Sequence, residues 1–183
     1  MQMPFHIRGV TLIELMIVIS ITAILAMIGI PAFQGVIDRN RLKAATDTLQ
    51  GDLQFAKSEA IKRNTPVRVN FTFSNGDATN GYATWCYGMK ENADCDCSDD
   101  APLCEVGGIK KVVMGSDSYP GTKVVTTANF SFDNVRGTVN AGSVTLISAQ
   151  SKRTKVVVSG MGGIRSCSAA GGTEVWGYST SCP

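Results

Sequence analysis

Cysteine is the residue type whose number and spacing most clearly suggest chemistry in this 183-residue sequence. An even number of cysteines in a loop-rich region is typical of disulfides formed in an oxidising compartment. Zinc is the alternative, but no second closely spaced pair and no neighbouring histidine completes a tetrahedral set of ligands. We therefore expect disulfides, with no bound metal and no other cofactor. The six cysteines are Cys86, Cys95, Cys97, Cys104, Cys167 and Cys182.

The spacing of the cysteines restricts how they can pair. Cys167 and Cys182 are expected to form a disulfide that encloses segment 169–173. A bridge between Cys95 and Cys97 is disfavoured because the single intervening residue would make a strained ring. Two pairings of the other four stay open: Cys86–Cys95 with Cys97–Cys104, or Cys86–Cys97 with Cys95–Cys104.

Side chains for catalysis are scarce in this sequence. The single histidine, His6, lies in the short segment ahead of the first apolar run, so Ser-His-Asp and Cys-His arrangements are not expected. The glycine-rich run 160–163 lacks the Lys-Ser/Thr pair of a phosphate-binding loop and is better explained as a turn between strands. We therefore do not expect an enzyme.

The element that positions the remaining candidate residue is an apolar run from Val10 to Ile30, in which Glu14 is the only charge. As a helix, this run would be about 31 Å long, enough to cross the hydrocarbon core of a membrane. No small-residue cleavage site follows it, so the segment is expected to stay on the mature protein. A carboxylate inside a membrane helix costs several kcal/mol unless it is paired, which makes Glu14 a candidate functional residue.

The residues around this glutamate carry a resemblance. Arg8-Gly9 followed by Val10-Thr11-Leu12-Ile13-Glu14-Leu15 resembles the prepilin signature of type IV pilins and type II secretion pseudopilins. The resemblance implies that a prepilin peptidase cuts after Gly9 and that Val10, where most relatives have Phe or Met, is then N-methylated. It also implies that Glu14 neutralises the terminal amine of a neighbouring subunit during assembly, which lowers the cost of burying both charges.

The sequence divides into four predicted regions: a leader at 1–9, a transmembrane assembly helix at 10–31, an amphipathic helix at 32–65 and a β-rich head at 66–183. Gly29 and Pro31 mark a predicted helix break, because proline removes a backbone donor from a helix interior. In assembled pili of the resembled family, the corresponding stretch is often unwound.

The amphipathic helix and the strands after it predict an α+β fold, with the long helix packed on an antiparallel, sandwich-like head. Glu59 and Arg63 lie on the polar side of the amphipathic helix, four residues apart, a spacing that favours an ion pair. Pro66 should end the helix at 64–65. The predicted apolar face comprises Leu42, Ala45, Leu49, Leu53, Ala56 and Ala60. Alternation and turn residues predict strands at 67–73, 82–87, 109–114, 123–127, 129–132, 143–148 and 154–159.

Three further segments narrow the resemblance. These segments resemble the corresponding parts of minor pilins and pseudopilins of the GspH/FimT type. They are residues 55–67, Phe132-Asp133 with Gly137 and strand 144–148, and residues 158–167. This resemblance implies a structural subunit that helps to initiate or cap a type IV pilus, with a type II secretion pseudopilin as the alternative. The implied partners are other major and minor pilins and an inner-membrane assembly platform. The implied location is the bacterial inner membrane, with one membrane pass and a periplasmic head, and then the pilus or pseudopilus.

Two local charge clusters stand out against a net charge of only +2. Segment 91–105 holds six carboxylates and no cation, and a solvated, disulfide-braced loop is favoured over a calcium site because the spacing is not that of an EF-hand. Segment 151–170 holds only cations: Lys152, Arg153, Lys155 and Arg165. Some FimT-type relatives contact DNA through a Gly-Arg-x-Arg loop, and the matching residues here, 162–165, lack the first arginine. The resemblance therefore implies at most weak DNA binding, because phosphate attraction depends on the number of cations.

Overall fold

The computed structural model describes residues 9–98, 103–126, 129–169, 175–178 and 182. The predicted leader up to Arg8, including His6, lies outside the described residues. Two helices are present, α1 at Leu12–Arg63 and a single turn, α2, at Gly115–Ser118. The strands are β1 Val67–Asp77, β2 Gly81–Glu91, β3 Glu105–Val106, β4 Ile109–Lys110, β5 Val112–Met114, β6 Lys123–Thr126, β7 Phe130–Phe132, β8 Gly142–Ile147, β9 Arg153–Val158 and β10 Ile164–Ser168.

The chain divides into two compact units, Met1–Ile37 and Asp38–Pro183. In the first unit the apolar side chains of α1 between Leu12 and Ile28 are exposed. Among the described residues, α1 is the one helix long and apolar enough to cross a membrane by length and composition. Leucine, isoleucine, alanine and methionine dominate this stretch, and their helix propensities are compatible with an uninterrupted helix.

The predicted break at Gly29 and Pro31 is not present in the single chain, because α1 continues through both positions. Proline removes one backbone hydrogen bond from a helix interior, a local cost that does not by itself require the helix to end. Helix propagation on both sides then outweighs the single missing bond. Unwinding at this point in an assembled filament remains a prediction.

In the second unit, the predicted apolar face of α1 is confirmed. All six of its members, from Leu42 to Ala60, are buried in the hydrophobic core. The helix ends where predicted, with Asn64 in the left-handed region (φ 53°). The Thr65 N–H donates to the Ala60 carbonyl at 3.2 Å and the Asn64 N–H to the Ile61 carbonyl at 3.3 Å, a Schellman ending.

The strands form one eight-stranded antiparallel sheet in the order β10-β9-β8-β6-β2-β1-β7, with β5 on β2, and a separate β3–β4 ribbon. One face of the sheet packs on α1. Val67, Val69 and Phe71 on β1 and their partners Met89 and Tyr87 on β2 point into this core. The core layer opposite the sheet is therefore the helix, which is how the antiparallel α+β head buries its apolar face.

Two strands were not predicted, and one predicted strand is divided. β3 has only two residues, and β10 reads Ile-Arg-Ser-Cys-Ser, which carries little apolar alternation. The predicted strand 109–114 is interrupted at Lys111, whose N–H donates to the Cys104 carbonyl at 2.8 Å. These elements depend on neighbours distant in sequence, which periodicity alone does not indicate.

Because the hydrophobic core lies within Asp38–Pro183, we expect a fragment of residues 34–183 to fold as a soluble monomer. Size-exclusion chromatography and near-ultraviolet circular dichroism of the oxidised fragment would check this. Aggregation of the fragment despite formed disulfides would show that the head needs residues before 34.

Candidate functional site

Glu14 lies in the first turn of α1, among exposed apolar side chains such as Leu12, Ile13 and Leu15. The side-chain oxygen of Thr11 accepts a hydrogen bond from the Glu14 N–H at 3.3 Å, so Thr11 caps the helix and Glu14 occupies the third helical position. A carboxylate near a helix N-terminus is favoured by the helix dipole. No hydrogen bond or ion pair joins its carboxylate to any other residue within the described part of the chain.

The four cysteines of the central region pair as Cys86–Cys97 and Cys95–Cys104, with Cα atoms 5.9 and 5.4 Å apart. This is one of the two pairings that the sequence left open. Both bridges lie on the face of β1 and β2 that points away from the core. At Gly88 on β2, an added Cβ would lie 2.6 Å from the Cys104 sulfur and 2.7 Å from the Cys95 sulfur. The strand therefore needs glycine there to let the disulfide loop approach.

The acidic segment is fastened to these strands by its own carboxylates. Asp94 accepts hydrogen bonds from Asn70 (3.0 Å) and Arg68 (3.3 Å), and Asp96 accepts one from Thr72 at 3.0 Å. The hydrogen bond from Asn70 is the main reason that the pKa of Asp94 lies below its usual value. Among the described residues no group of carboxylates, cysteines and histidine is arranged to hold a metal; Asp99 and Asp100 lie outside them.

Three of the four predicted DNA-binding cations lie on one face of the sheet. Arg153 and Lys155 alternate with the buried Thr154 and Val156 on β9, so they point away from the core. On β10, Arg165 is paired with Val157, which shares the outward face of Lys155. Lys152 precedes β9 in the turn from β8, where its N–H donates to the Ser148 hydroxyl at 3.2 Å.

The structure places one further cation, Lys123, on this outward face, and it places Arg165 on a strand and not in a loop. Lys123 on β6 is paired with Ile147, which is also paired with Arg153, so both cations lie on the outward face. The sequence of β6, Lys-Val-Val-Thr, has no apolar alternation, so it gave no signal for this placement. Arg165 lies on strand β10, whereas the match to relatives suggested a loop.

A partly buried group of ion pairs joins the end of α1 to the end of β2, and it corrects one sequence-based expectation. Glu59, expected on the polar side, is only 7% exposed. Its carboxylate accepts hydrogen bonds from Arg63 at 2.5 Å and from Lys62 at 3.3 Å, and Arg63 also lies 3.5 Å from Glu91. The Glu91 carboxylate accepts a hydrogen bond from the Gly107 N–H at 2.8 Å. Packing of strands and loops around the helix end buries a side chain that the helix pattern alone leaves exposed.

The ion pair of Glu59 with Arg63 predicts that the stability of the folded head depends on pH. The hydrogen bond from Arg63, more than any other contact, lowers the pKa of Glu59 below its ordinary 4.5. A lowered folded-state pKa stabilises the fold above pH 4.5, and the contribution disappears as the pH falls through the folded value. Glu59→Gln should therefore lower the melting temperature of fragment 34–183 at pH 7, and the difference from wild type should shrink below pH 4.5. A difference that stays constant from pH 7 to pH 3 would contradict this.

Comparisons with known proteins identify two matching family models and a similar sequence. The family model of the type II transport protein GspH matches residues 45–162, and the prokaryotic N-terminal methylation motif matches residues 5–30. The prepilin peptidase-dependent protein D of Escherichia coli K12 is 60% identical over 43 residues, which cover 24% of this chain and 27% of that protein's length.

Two solved structures show a partial similarity to this chain. The minor pseudopilin EpsH of the Vibrio cholerae type 2 secretion system has a TM-score of 0.48 at 10% identity, covering 70% of this chain and 97% of that one. The type IV minor pilin FimU of Pseudomonas aeruginosa has a TM-score of 0.47 at 15% identity, covering 69% and 88%. The GspH match extends over more than half of the 183 residues, from the buried face of α1 through β9. The chain therefore belongs to the family of the type II transport protein GspH.

Proposed function

We propose that the chain is a minor pilin of a type IV pilus, a structural subunit that helps to initiate or cap the filament. The observation that carries the proposal is the exposed apolar stretch of α1, with Glu14 as its one charge, attached to a separately compact, disulfide-braced head. An exposed apolar helix of this length requires lipid or other apolar helices around it. A pilin has lipid around this helix while it is in the membrane, and it has the apolar helices of neighbouring subunits around it once it is in a filament.

The proposal assigns roles to the N-terminal residues. A prepilin peptidase cuts after Gly9 and the new amino group of Val10 is methylated. The stretch at 10–31 then holds the chain in the inner membrane with a single pass, and the head lies in the periplasm. An inner-membrane assembly platform delivers the subunit to its neighbours, which are other major and minor pilins. The role is structural, and the proposal includes no catalytic step.

Deletion of the gene distinguishes a role in a type IV pilus from a role in a type II secretion system. We expect fewer surface pili, counted by electron microscopy, with unchanged amounts of type II substrates in the medium. An epitope-tagged copy should restore the pili and should be detected in sheared filaments. Loss of secretion with a normal number of pili would instead identify the chain as a type II secretion pseudopilin.

A second candidate function is weak, sequence-independent DNA capture by the same subunit. The specific observation in its favour is the shared outward face of Arg153, Lys155 and Arg165. Strands β8, β9 and β10 contain no acidic residue to offset these cations. Three or four phosphate contacts would release a corresponding number of counterions, which makes such binding strongly dependent on salt.

Binding of fluorescent DNA to fragment 34–183, followed by anisotropy, tests this candidate. Affinity should fall roughly 50-fold or more between about 50 and 200 mM salt. Arg165→Glu should weaken binding further, whereas Lys110→Glu, the same charge change at an exposed position on β4, should have little effect. No binding at low salt, or equal losses in both variants, would remove DNA capture from the functions of this chain.

A further inference from the structure

The two outer strands of the eight-stranded sheet, β7 and β10, differ in how their open edges are covered. An uncovered edge strand presents N–H and C=O groups that can pair with a further strand. On β7 the Ser131 N–H donates to the Asn140 side-chain oxygen at 2.8 Å, and the Asn140 amide donates to the Asn129 carbonyl at 2.6 Å. Asn140 therefore blocks the β7 edge, which leaves β10 as the outer strand that can pair further.

The backbone groups of β10 point alternately toward β9 and toward the open edge. The Ser159 N–H donates to the Gly163 carbonyl at 2.9 Å, so Gly163 is bonded to the β9 side. Hydrogen-bonded and non-hydrogen-bonded pairs alternate along an antiparallel ladder, and Ile164 and Ser166 therefore direct their N–H and C=O groups away from β9. Within the described part of the chain these groups have no backbone partner; residues 170–174 lie outside it.

A groove of about 330 Å³ lies between this open edge and α1. Ile164 is half-buried and shares the helix-facing side of the sheet with its buried partner Val158, whereas Ile61 on α1 is 46% exposed. Neighbouring strands are about 4.8 Å apart, so a strand paired with β10 would lie in the groove and cover both isoleucines. The groove is lined by Gln54, Lys57, Ser58 and Ile61 of α1 and by Gly162 and Ile164.

The end of the groove at the β9–β10 turn is fixed before any partner arrives. The Lys57 ammonium donates to the Gly162 carbonyl at 2.9 Å, which ties this turn to α1. Gly162 has a positive φ of 76°, and a Cβ added there would collide with the Gly137 carbonyl oxygen. A site that is already ordered requires less loss of conformational entropy on binding, which favours affinity.

The charges beside the groove are positive. Arg165 is exposed on the outward face of β10, and Lys57 is the one charged residue among those that line the groove. Neither forms an ion pair with another described residue. The two acids of α1 nearest to Lys57, Asp52 and Glu59, accept hydrogen bonds from other side chains of the head, and Glu174 lies outside the described residues. Opposite charges on neighbouring strands attract, so the edge favours an acidic partner.

We propose that β10 accepts an extended, acidic segment of a neighbouring pilin, which joins the sheet as a further strand and lies in the groove along α1. The proposal rests on the proposed function, which supplies such neighbours. In strand addition, main-chain hydrogen bonds give affinity and pockets for alternate side chains give specificity. The side chains that face α1 are apolar and cover Ile61 and Ile164, and those on the other face are acidic and pair with Arg165. The β10 strand of a second copy fits poorly, because it would bring two Arg165 side chains together.

Photo-crosslinking in the groove tests this proposal on the full chain. A tagged copy with benzoylphenylalanine in place of Ser58, an exposed residue in the α1 wall, is produced in a bacterium that lacks its own copy of the gene. After irradiation of intact cells, mass spectrometry of membranes and sheared filaments identifies the joined peptides. We expect a segment of another pilin with Asp or Glu at alternate positions. The same photoreactive side chain in place of Lys110, exposed on β4, should give no such product.

Two variants connect the crosslink to the edge of β10. Ser166→Pro removes the N–H that points away from β9 and keeps the β9 ladder, a position where an edge strand tolerates proline. The crosslink should fall about two- to tenfold, as expected for one lost hydrogen bond, whereas Ser166→Ala should leave it unchanged. Arg165→Glu should reduce it by a similar factor, and Lys110→Glu should not. Recovery of the Cys167–Cys182 disulfide shows that the proline variant folds, and Arg165→Glu decides if it does not.

The outcomes separate this inference from the proposed function. A crosslink that is unchanged in both Ser166→Pro and Arg165→Glu, or that joins position 58 to a helix of the neighbour, would overturn strand addition. No crosslink from a chain that is present in sheared filaments would overturn the inference alone. A crosslink to a type II secretion pseudopilin would keep the β10 site and overturn the role in a pilus. Absence of the chain from filaments, with no crosslink in membranes, would overturn both.

Discussion

Glu14→Ala should be processed normally yet fail to enter filaments. In the proposed assembly step the carboxylate meets the terminal amine of a neighbouring subunit among apolar helices, and removal of one partner of a buried pair costs about 3–5 kcal/mol. Incorporation should therefore fall by at least about a hundredfold, because each 1.4 kcal/mol corresponds to about tenfold. Immunoblots of sheared filaments and of membranes measure the two pools, and mass spectrometry of the N-terminus confirms processing.

Two further variants make this experiment specific. Gly9→Ala should leave a full-length precursor in the membrane, because the peptidase would lose the residue after which it cuts. Ser20→Ala is the matched control on the same helix, since the Ser20 hydroxyl donates to the Met16 carbonyl at 2.7 Å and no charge is lost. Normal incorporation of Glu14→Ala, or an intact leader on the wild-type protein from filaments, would contradict the proposed roles of Glu14 and Gly9.

Gly88→Ala should destabilise the head by about 1–3 kcal/mol, the usual cost of overpacking a filled interior. The new methyl group would lie within 3 Å of both the Cys95 and Cys104 sulfurs, on a strand held on both sides by neighbours. Denaturant unfolding of the oxidised fragment 34–183 gives the free energy, and peptide mapping of the non-reduced fragment reports the disulfides. The mapping should recover Cys86–Cys97 and Cys95–Cys104 in the wild type.

Gly51→Ala is a control for which the change in the free energy of unfolding should have the opposite sign. Gly51 lies in α1, is exposed, and an added Cβ would meet no atom within 4 Å. Glycine in a helix is less stable than alanine by about 0.5–1 kcal/mol, so this variant should be more stable than the wild type. A Gly88→Ala head with wild-type stability and both disulfides formed would show that the loop does not lie against β2 as described.

The features that sequence predicted well depend on short-range regularities. The buried face from Leu42 to Ala60 follows from a helical period, and the end of α1 follows from Pro66 and the tolerance of Asn64 for a left-handed backbone. Most strand positions follow from alternation. The resemblance of the segment around Gly9 and Glu14 to prepilins is also local, because the signature is contiguous.

The sequence by itself thus determined the family, the apolar helix and its isolated glutamate, and the α+β class of the head. Only the tertiary structure decided which cysteines pair, because Cys86 and Cys97 meet through the path of the loop over β1 and β2. It also decided that Glu59 is buried and that Lys123 joins Arg153 on one face. These outcomes depend on contacts between separate segments of the chain, and periodicity within one segment contains no information about which other segment will cover it.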